Sequence, residues 1–269
     1  VLTFIDAWGG ALAYTFQLYF DFSGYSDMAM GLASFFNIKI PQNFNSPYKS
    51  TSIIEFWRRW HMTLSAFLRD YLYIPLGGNR KGKARRYINL TMTMLLGGLW
   101  HGAGWTFVIW GGLHGLFLVI NHFWRAHCPV RLPKFAGWLI TSVSIVAAWV
   151  FFRAETVGQA LLILKGMAGL NGFLLPAYFL PSQIIGLVES FGVPVLKGDT
   201  LILCGQRLIL YITLAVLACT FLPNATELAG KIHSLSKSKL LFFSMFIGCI
   251  LTYLFLCLNN VSEFLYFQF

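Results

Sequence analysis

The sequence predicts an all-α, polytopic integral membrane protein, and three observations carry that prediction. Of the 269 residues, 57% are hydrophobic and 11% charged, with a mean hydropathy of +0.65; a soluble domain carries about 25% charged residues. Residues 87–124 contain no Asp, Glu, Lys or Arg, a stretch long enough to cross a bilayer more than once. No polar linker divides the chain, so residues 1–269 are expected to form a single membrane domain.

The elements follow in order. Residues 2–20 are apolar and aromatic apart from Asp6 and Gln17, and form the first expected span. Asp21-Phe22-Ser23-Gly24-Tyr25-Ser26-Asp27 then combines two carboxylates, two serine hydroxyls and a glycine, which favours a helix break or cap. Residues 28–38 are uncharged and reach about half a bilayer at helical rise. Residues 41–47 (PQNFNSP) predict a loop. Residues 53–71 predict an amphipathic helix: Trp57, His61, Leu64 and Leu68 share one face, and Arg58, Met62, Ser65 and Arg69 the next. Such a mixture of Trp, Arg and Leu suits the membrane interface. Pro75 and residues 77–83 end that helix, and with Arg85 and Arg86 they make a basic loop expected on the cytoplasmic side.

A span starts near Tyr87. His101 is fourteen steps further on, about 21 Å along a helix in a hydrocarbon layer about 30 Å thick, which places it past the midplane of a straight helix. Gly97, Gly98, Gly102 and Gly104 argue against straightness and would let a neighbouring helix or a substrate approach closely. Residues 105–124, with Gly111, Gly112 and Gly115 along one side, and residues 135–152 predict two further spans. Residues 166–188, broken by Pro176 and Pro181, fit a re-entrant or surface segment as well as a span. Residues 208–226 and 240–262 bring the total to about six spans, with short buried or interfacial helices between them. The chain opens Val1-Leu2-Thr3 without an initiator Met or a signal peptide, so an N-terminal portion of a longer protein is expected to precede it.

Charge narrows the partners. The formal net charge is +10, but eight of the 20 Lys and Arg fall within residues 58–86. That is the signature of a basic loop beside spans, which meets anionic lipid headgroups, and no nucleic-acid partner is expected. The five cysteines show neither a CxxC pair nor ligand spacing with histidine, so no metal is expected.

His101, in Trp100-His101-Gly102, is the first candidate for chemistry, because a titratable side chain at membrane depth is costly to keep. A neutral imidazole can serve as a general base; the competing explanation is a hydrogen bond to a neighbouring carbonyl. His61, flanked by Trp57 and Trp60 and close to Arg58, Arg59 and Asp70, is the second, against ordinary core packing. His114 is thirteen residues past His101, about 140° around a helix, so the two do not share a face and helix packing is its simpler role. His122, His127 and His233 fall near span ends and are expected at the interface. Arg58, Arg59, Arg69, Arg80 and Arg85 could grip phosphates or simply orient the chain in the membrane. Asp21, Asp27 and Asp70 could cap helices or pair with arginines. No P-loop and no G-x-S-x-G elbow is present.

Phe56-Trp57-Arg58-Arg59-Trp60-His61-Met62-Thr63-Leu64-Ser65, then Leu68-Arg69-Asp70-Tyr71-Leu72-Tyr73-Ile74-Pro75-Leu76-Gly77-Gly78-Asn79-Arg80, resembles the membrane-bound O-acyltransferase (MBOAT) family. So does Gly98-Leu99-Trp100-His101-Gly102, and the motifs are most similar to its alginate-acetylating branch. The segment from Asp21 to Asp27 and the ending Tyr266-Phe267-Gln268-Phe269 are similar too. The resemblance implies a helical bundle with a central tunnel, of which this chain is the C-terminal portion and residues 21–127 the motif-bearing catalytic core. It implies that His101 is the catalytic histidine and His61 a second one on the cytoplasmic side of the tunnel. Trp57, Arg58, Arg59, Arg69, Asp70, Asn79, Arg80 and Trp100 are the candidate substrate-binding residues.

The implied activity is acyl transfer in a bacterial inner membrane. Acetyl-CoA or another cytoplasmic acyl thioester is the expected donor, docking near residues 80–86, with no bound cofactor. Periplasmic acetylation proteins would then place the group on an exopolysaccharide, alginate first. D-alanyl or acetyl transfer to teichoic acid or another cell-wall acceptor is the alternative. From a different class, a transporter in which histidines relay protons fits the hydrophobicity, although the chain shows no internal repeat.

Overall fold

Helix α1 (Phe4–Phe35) sets the length of the bundle: its 32 residues rise about 48 Å. In the computed structural model, which describes residues 2–176, 182–192, 194–196 and 205–256, it starts at a capping box in which Thr3 and Asp6 satisfy each other's backbone N–H groups. The break expected at Asp21 to Asp27 is absent, and α1 runs straight through it. Packing overrides the local signal. Phe22, Ser23 and Ser26 are buried, and the Phe22 ring meets Phe44 at 4.9 Å and His61 at 4.8 Å. Burying one such side chain contributes about 1.5–3 kcal/mol, more than the roughly 1 kcal/mol that Gly24 costs in a helix.

The amphipathic helix expected over residues 53–71 is three pieces. Helix α2 (Ile53–Trp57), capped by Ser52, ends at Arg58. Helix α3 (Met62–Leu68) begins from a left-handed residue, His61, with φ 42° and ψ 56°. A π turn over Arg69–Tyr73 follows, marked by the Ile74 N–H donating to the Arg69 carbonyl at 2.9 Å. The apolar face survives the break: Trp57, Trp60, Leu64 and Leu68 are buried, while Arg58 and Arg69 are exposed. The basic loop is shorter than expected, because helix α4 (Gly82–His101) already contains Lys83, Arg85 and Arg86 in its first turns.

Helix α4 stays continuous through Gly97 and Gly98, so those glycines act by close approach rather than by bending. A Cβ on Gly98 would lie 2.3 Å from the Phe107 carbonyl oxygen, and one on Gly111 would lie 2.3 Å from that of Met94. Only glycine fits on both sides of this crossing with helix α5 (Trp105–His127), the small-residue packing that bilayers favour. Helix α6 (Lys134–Arg153) packs beside α5 and buries Trp149, Val150, Phe151 and Phe152. Hydroxyls in these helices bond to the carbonyl one turn back, as in Thr93 to Asn89 and Thr141 to Gly137, both 2.7 Å, which satisfies polar groups buried in the bundle.

Helix α7 (Val157–Met167) returns along α1, with Trp8 Nε1 donating to the Met167 carbonyl at 3.0 Å. Residues 166–188 do not form one span: α7 ends at Met167, and helix α8 (Ser182–Ser190) is nine residues long. Between the described helices lies a two-residue parallel pairing of β1 (Leu175–Pro176) with β2 (Val195–Leu196). Helix α9 (Gly205–Phe221) and helix α10 (Ala225–His233) meet at a 60° bend. Asn224 caps α10 and donates to Asn45 Oδ1 and Ser46 Oγ. Helix α11 (Lys237–Leu256) follows; the rest of the expected span and the ending at residues 266–269 lie outside the described residues.

Among the described residues, α5 and α6 are each long and apolar enough to cross a membrane, and the bent pair α9–α10 would make a third. Of the six expected spans, the one over residues 240–262 runs past the described residues, and two differ in composition. Helix α1 is long enough but carries Asp6, Asp21 and Asp27. Helix α4 opens with three cations and holds Asn89, Thr91 and Thr93. The protein is an all-α membrane protein whose bundle core is aromatic.

Candidate active site

Aromatic residues from four helices converge on one point. Phe56 and Trp57 come from α2, Trp110 from α5, Trp149 and Phe152 from α6, and Phe22 from α1. Trp110 and Trp149 stack at 5.7 Å with their planes 20° apart. Phe152 stands edge-on to Trp110, at 5.1 Å. Offset and edge-to-face pairs of this kind are the favoured aromatic geometries, and together they form a rigid cage.

Both sequence-predicted catalytic histidines enter that cage. His61 comes from the turn between α2 and α3; its left-handed backbone swings the ring onto Phe22. His101 is the last residue of α4, and its ring meets Trp110 edge-on at 5.3 Å and Phe152 at 5.1 Å. His61 and His101 line one small chamber with Trp57, Trp60, Trp110 and Trp149 among its walls, about 20 Å³ in volume. A single water needs about 10–15 Å³ on that measure. The two imidazoles therefore line the same space. Burial pushes the His61 imidazole down to about 4, so it is neutral at pH 7.

Trp100 is 61% exposed and Trp105 77% exposed, and they flank the turn that joins α4 to α5. His101 lies about 28 Å along α4 from the basic end at Gly82. Trp100 touches the His101 ring at 4.9 Å but does not line the chamber.

A second, larger cavity opens on the other side of Trp57. It has a volume of about 540 Å³ and is lined by Trp57, Arg58, Arg69, His122, Thr93 and Met94 among others. Trp57 lines both of these cavities.

The remaining candidates separate by position. Arg58 and Arg69 line the larger cavity, and Asp70 binds Arg69 through two hydrogen bonds of 2.7 and 3.0 Å. Arg59 is occupied elsewhere: it pairs with Glu55 at 2.9 Å and donates to the Asn45 carbonyl at 3.1 Å. That arrangement fastens α2 to the preceding loop. Burial raises the Glu55 carboxyl, but hydrogen bonds from Thr51 and the Arg59 charge outweigh it and hold the group below its usual range. Asn79 accepts from the Tyr73 hydroxyl, and Arg80 is exposed; neither lines the two cavities.

His122 lines the larger cavity, a role that sequence reasoning did not assign to it. A signal was present: Trp110, His114, Leu118 and His122 recur every four residues on α5, which is one helical face. His127 is exposed at the end of α5, bonded to the Phe123 carbonyl, and the side chain of His233 lies outside the described residues. His114 is fully buried, and Trp57 Nε1–H donates to its Nδ1 at 3.2 Å.

Residues 1–157 match the MBOAT, membrane-bound O-acyltransferase family. The chain is 58% identical over 175 residues to a peptidoglycan O-acetyltransferase of Helicobacter pylori, covering 64% of this chain and 33% of that protein. It is 56% identical over 155 residues to a probable alginate O-acetylase AlgI of Azotobacter vinelandii, covering 58% and 31%. A teichoic acid D-alanyltransferase of Streptococcus thermophilus is 39% identical over 123 residues, covering 43% and 30%. The chain spans about a third of the length of these curated relatives.

Proposed function

The chain belongs to the membrane-bound O-acyltransferase family, and we propose that it carries the catalytic centre of an enzyme that O-acetylates a bacterial polysaccharide. The observation that carries this reading is the pair of imidazoles, His61 and His101, in one aromatic chamber, with Trp57 lining both that chamber and the cavity that Arg58 and Arg69 line.

In this reading an acyl thioester such as acetyl-CoA approaches from the basic, cytoplasmic side. Arg58 and Arg69, rather than residues 80–86, face the cavity that would receive it, and guanidinium groups suit the phosphates of such a donor. The acceptor hydroxyl arrives from the opposite face, near Trp100 and Trp105. His101 takes the proton from that hydroxyl as its oxygen attacks the acyl carbon. The C–S bond breaks, and the thiolate takes up a proton to leave as a thiol. A positioned base of this kind contributes about 10² to 10⁴ in rate. Neutral His61 stands beside the reacting carbonyl to orient it. The cage of indole and phenyl rings excludes water, which would otherwise hydrolyse the thioester.

The names of the relatives support a polysaccharide acceptor and an acetyl cargo: peptidoglycan in one case, alginate in another. D-alanyl transfer, the activity named for a relative at lower identity, is the alternative cargo. The home of the protein in this reading is the inner membrane, with periplasmic acetylation proteins as partners. Family membership sets aside the proton-relaying transporter.

The test is His101→Ala in the full-length protein, in cells lacking the native copy. Ester-linked acetate and D-alanine on isolated peptidoglycan, exopolysaccharide and teichoic acid are the readouts. Acetyl content should fall at least 100-fold at normal protein level. Unchanged acylation of all three polymers would end the reading.

A further inference from the structure

Trp57 is the one lining residue that the two cavities have in common. That indole is tied down. Its Nε1–H donates to His114 Nδ1 at 3.2 Å, inside the bundle. His114 is 0% exposed and is itself held by rings: Phe56 stacks on it at 6.3 Å and 12°, and Trp110 meets it at 4.8 Å. An Nδ1 that accepts must belong to the neutral Nε2–H tautomer. Nδ1 protonation would set two donors against each other and release the indole. His114 is therefore a fixed acceptor whose function is to hold Trp57.

The chamber behind Trp57 is about 20 Å³ and the cavity before it about 540 Å³. The larger space would take a long thioester arm. The smaller one has room for a group the size of a methyl, close to the minimum that admits one water. We propose that Trp57, positioned by His114, is the acyl-length selector: it confines the transferred group to two carbons by closing the chamber against a longer chain. This inference rests on the acyl-transfer reading above and adds its specificity. One extra methylene in an apolar pocket changes discrimination by about 10- to 200-fold, so the selector need move only slightly to be lost.

The experiment measures a ratio. Full-length wild-type and variant proteins are expressed in cells lacking the native copy, grown with added propionate. Ester-linked acids are released from the polymer by mild base and quantified. Wild type should carry acetate almost alone. Trp57→Ala should raise the propionate-to-acetate ratio about tenfold, and Trp57→Phe should do so by less. His114→Leu, which lacks an acceptor, should shift the ratio in the same direction. His114→Asn, which keeps an acceptor near the Nδ1 position, should leave it close to wild type; a purely structural role would not separate Leu from Asn in this way.

An unchanged ratio in Trp57→Ala and Trp57→Phe that still acetylate would overturn the proposal. So would equal loss of both esters in Trp57→Ala, Trp57→Phe and His114→Leu at normal protein level, because Trp57 would then belong to the general machinery rather than to selection. Intact acetylation in His101→Ala, by contrast, would sink the underlying acyl-transfer reading whatever the ratio does.

Discussion

The crossing of α4 and α5 offers a sharp test of what holds His101 in place. A methyl added at Gly98 would lie 2.3 Å from the Phe107 carbonyl oxygen and 3.2 Å from the Gly111 Cα. An ordinary carbon–oxygen approach is about 3.3–3.6 Å, so the helices must part by about 1 Å. Both obstacles are backbone, and no side chain can swing aside. Overpacking of this kind costs about 1–3 kcal/mol, and the upper end applies because the fault lies between two backbones. His101 follows one turn after Gly98 on the same helix, so the separation reaches it directly. A misplacement of about 1 Å at a catalytic group can cost about 100-fold in rate. Gly98→Ala should therefore lower the unfolding temperature of the full-length protein in detergent by several degrees and cut acetyl transfer by about 100-fold. Gly112→Ala is the internal control, since its Cβ would meet only Leu95 Cδ2 at 3.4 Å, and it should leave both nearly unchanged. If Gly98→Ala unfolds and transfers like Gly112→Ala, the close approach does not position His101 and the reasoning is wrong.

Two further outcomes are expected. Arg58→Gln with Arg69→Gln should raise the KM for acetyl-CoA in isolated membranes by about 10-fold or more while leaving kcat within a few-fold, because the two side chains line the cavity outside the chamber and a phosphate contact made equally in ground and transition states affects KM alone. The folded His61 imidazole titrates at about 4 against 6.5 unfolded. The unfolded chain therefore binds the extra proton first as pH falls. The His61 contribution to stability should be constant above pH 6.5, decline between pH 6.5 and about 4, and level off below. His61→Gln should flatten that decline in a detergent unfolding series; equal slopes for wild type and variant would show that this ring is not held neutral.

Much of the fold was legible in the sequence because lipid makes the code simple. The spans over residues 105–124 and 135–152 appear as α5 and α6 within a few residues, since uncharged runs leave the backbone no other way to satisfy its hydrogen bonds. Breaks were harder. The segment from Asp21 to Asp27 carries every local mark of an interruption, yet Phe22, Ser23 and Ser26 are packed and α1 continues. The amphipathic stretch over residues 53–71 carries no Gly or Pro, yet it breaks at His61. Local chemistry cannot report a turn that tertiary contacts impose. At the site, an uncharged stretch around His101 and the resemblance of the motifs to a known family pointed to His61 and His101. Neither could show that α6 supplies Trp149 and Phe152 to the same chamber, because residues so distant in sequence meet only through helix packing. Nor could they rank the arginines: Arg59 is held by Glu55 and Asn45 outside the cavity, while Arg58 and the Asp70-paired Arg69 line it.

The left-handed residue between α2 and α3 has a consequence for how this centre tolerates change. His61 adopts φ 42°, a region that costs a residue with a Cβ about 1–2 kcal/mol. The ring's direction is therefore written in a single peptide torsion rather than in a helical register. A helix offers many addresses from which a side chain can face the same neighbour, each 100° apart; this corner offers one. Adding or deleting a residue within 57–61 would aim the imidazole away from its partner with no nearby position able to replace it. Exchanges of one apolar residue for another along α3 would leave its bearing untouched.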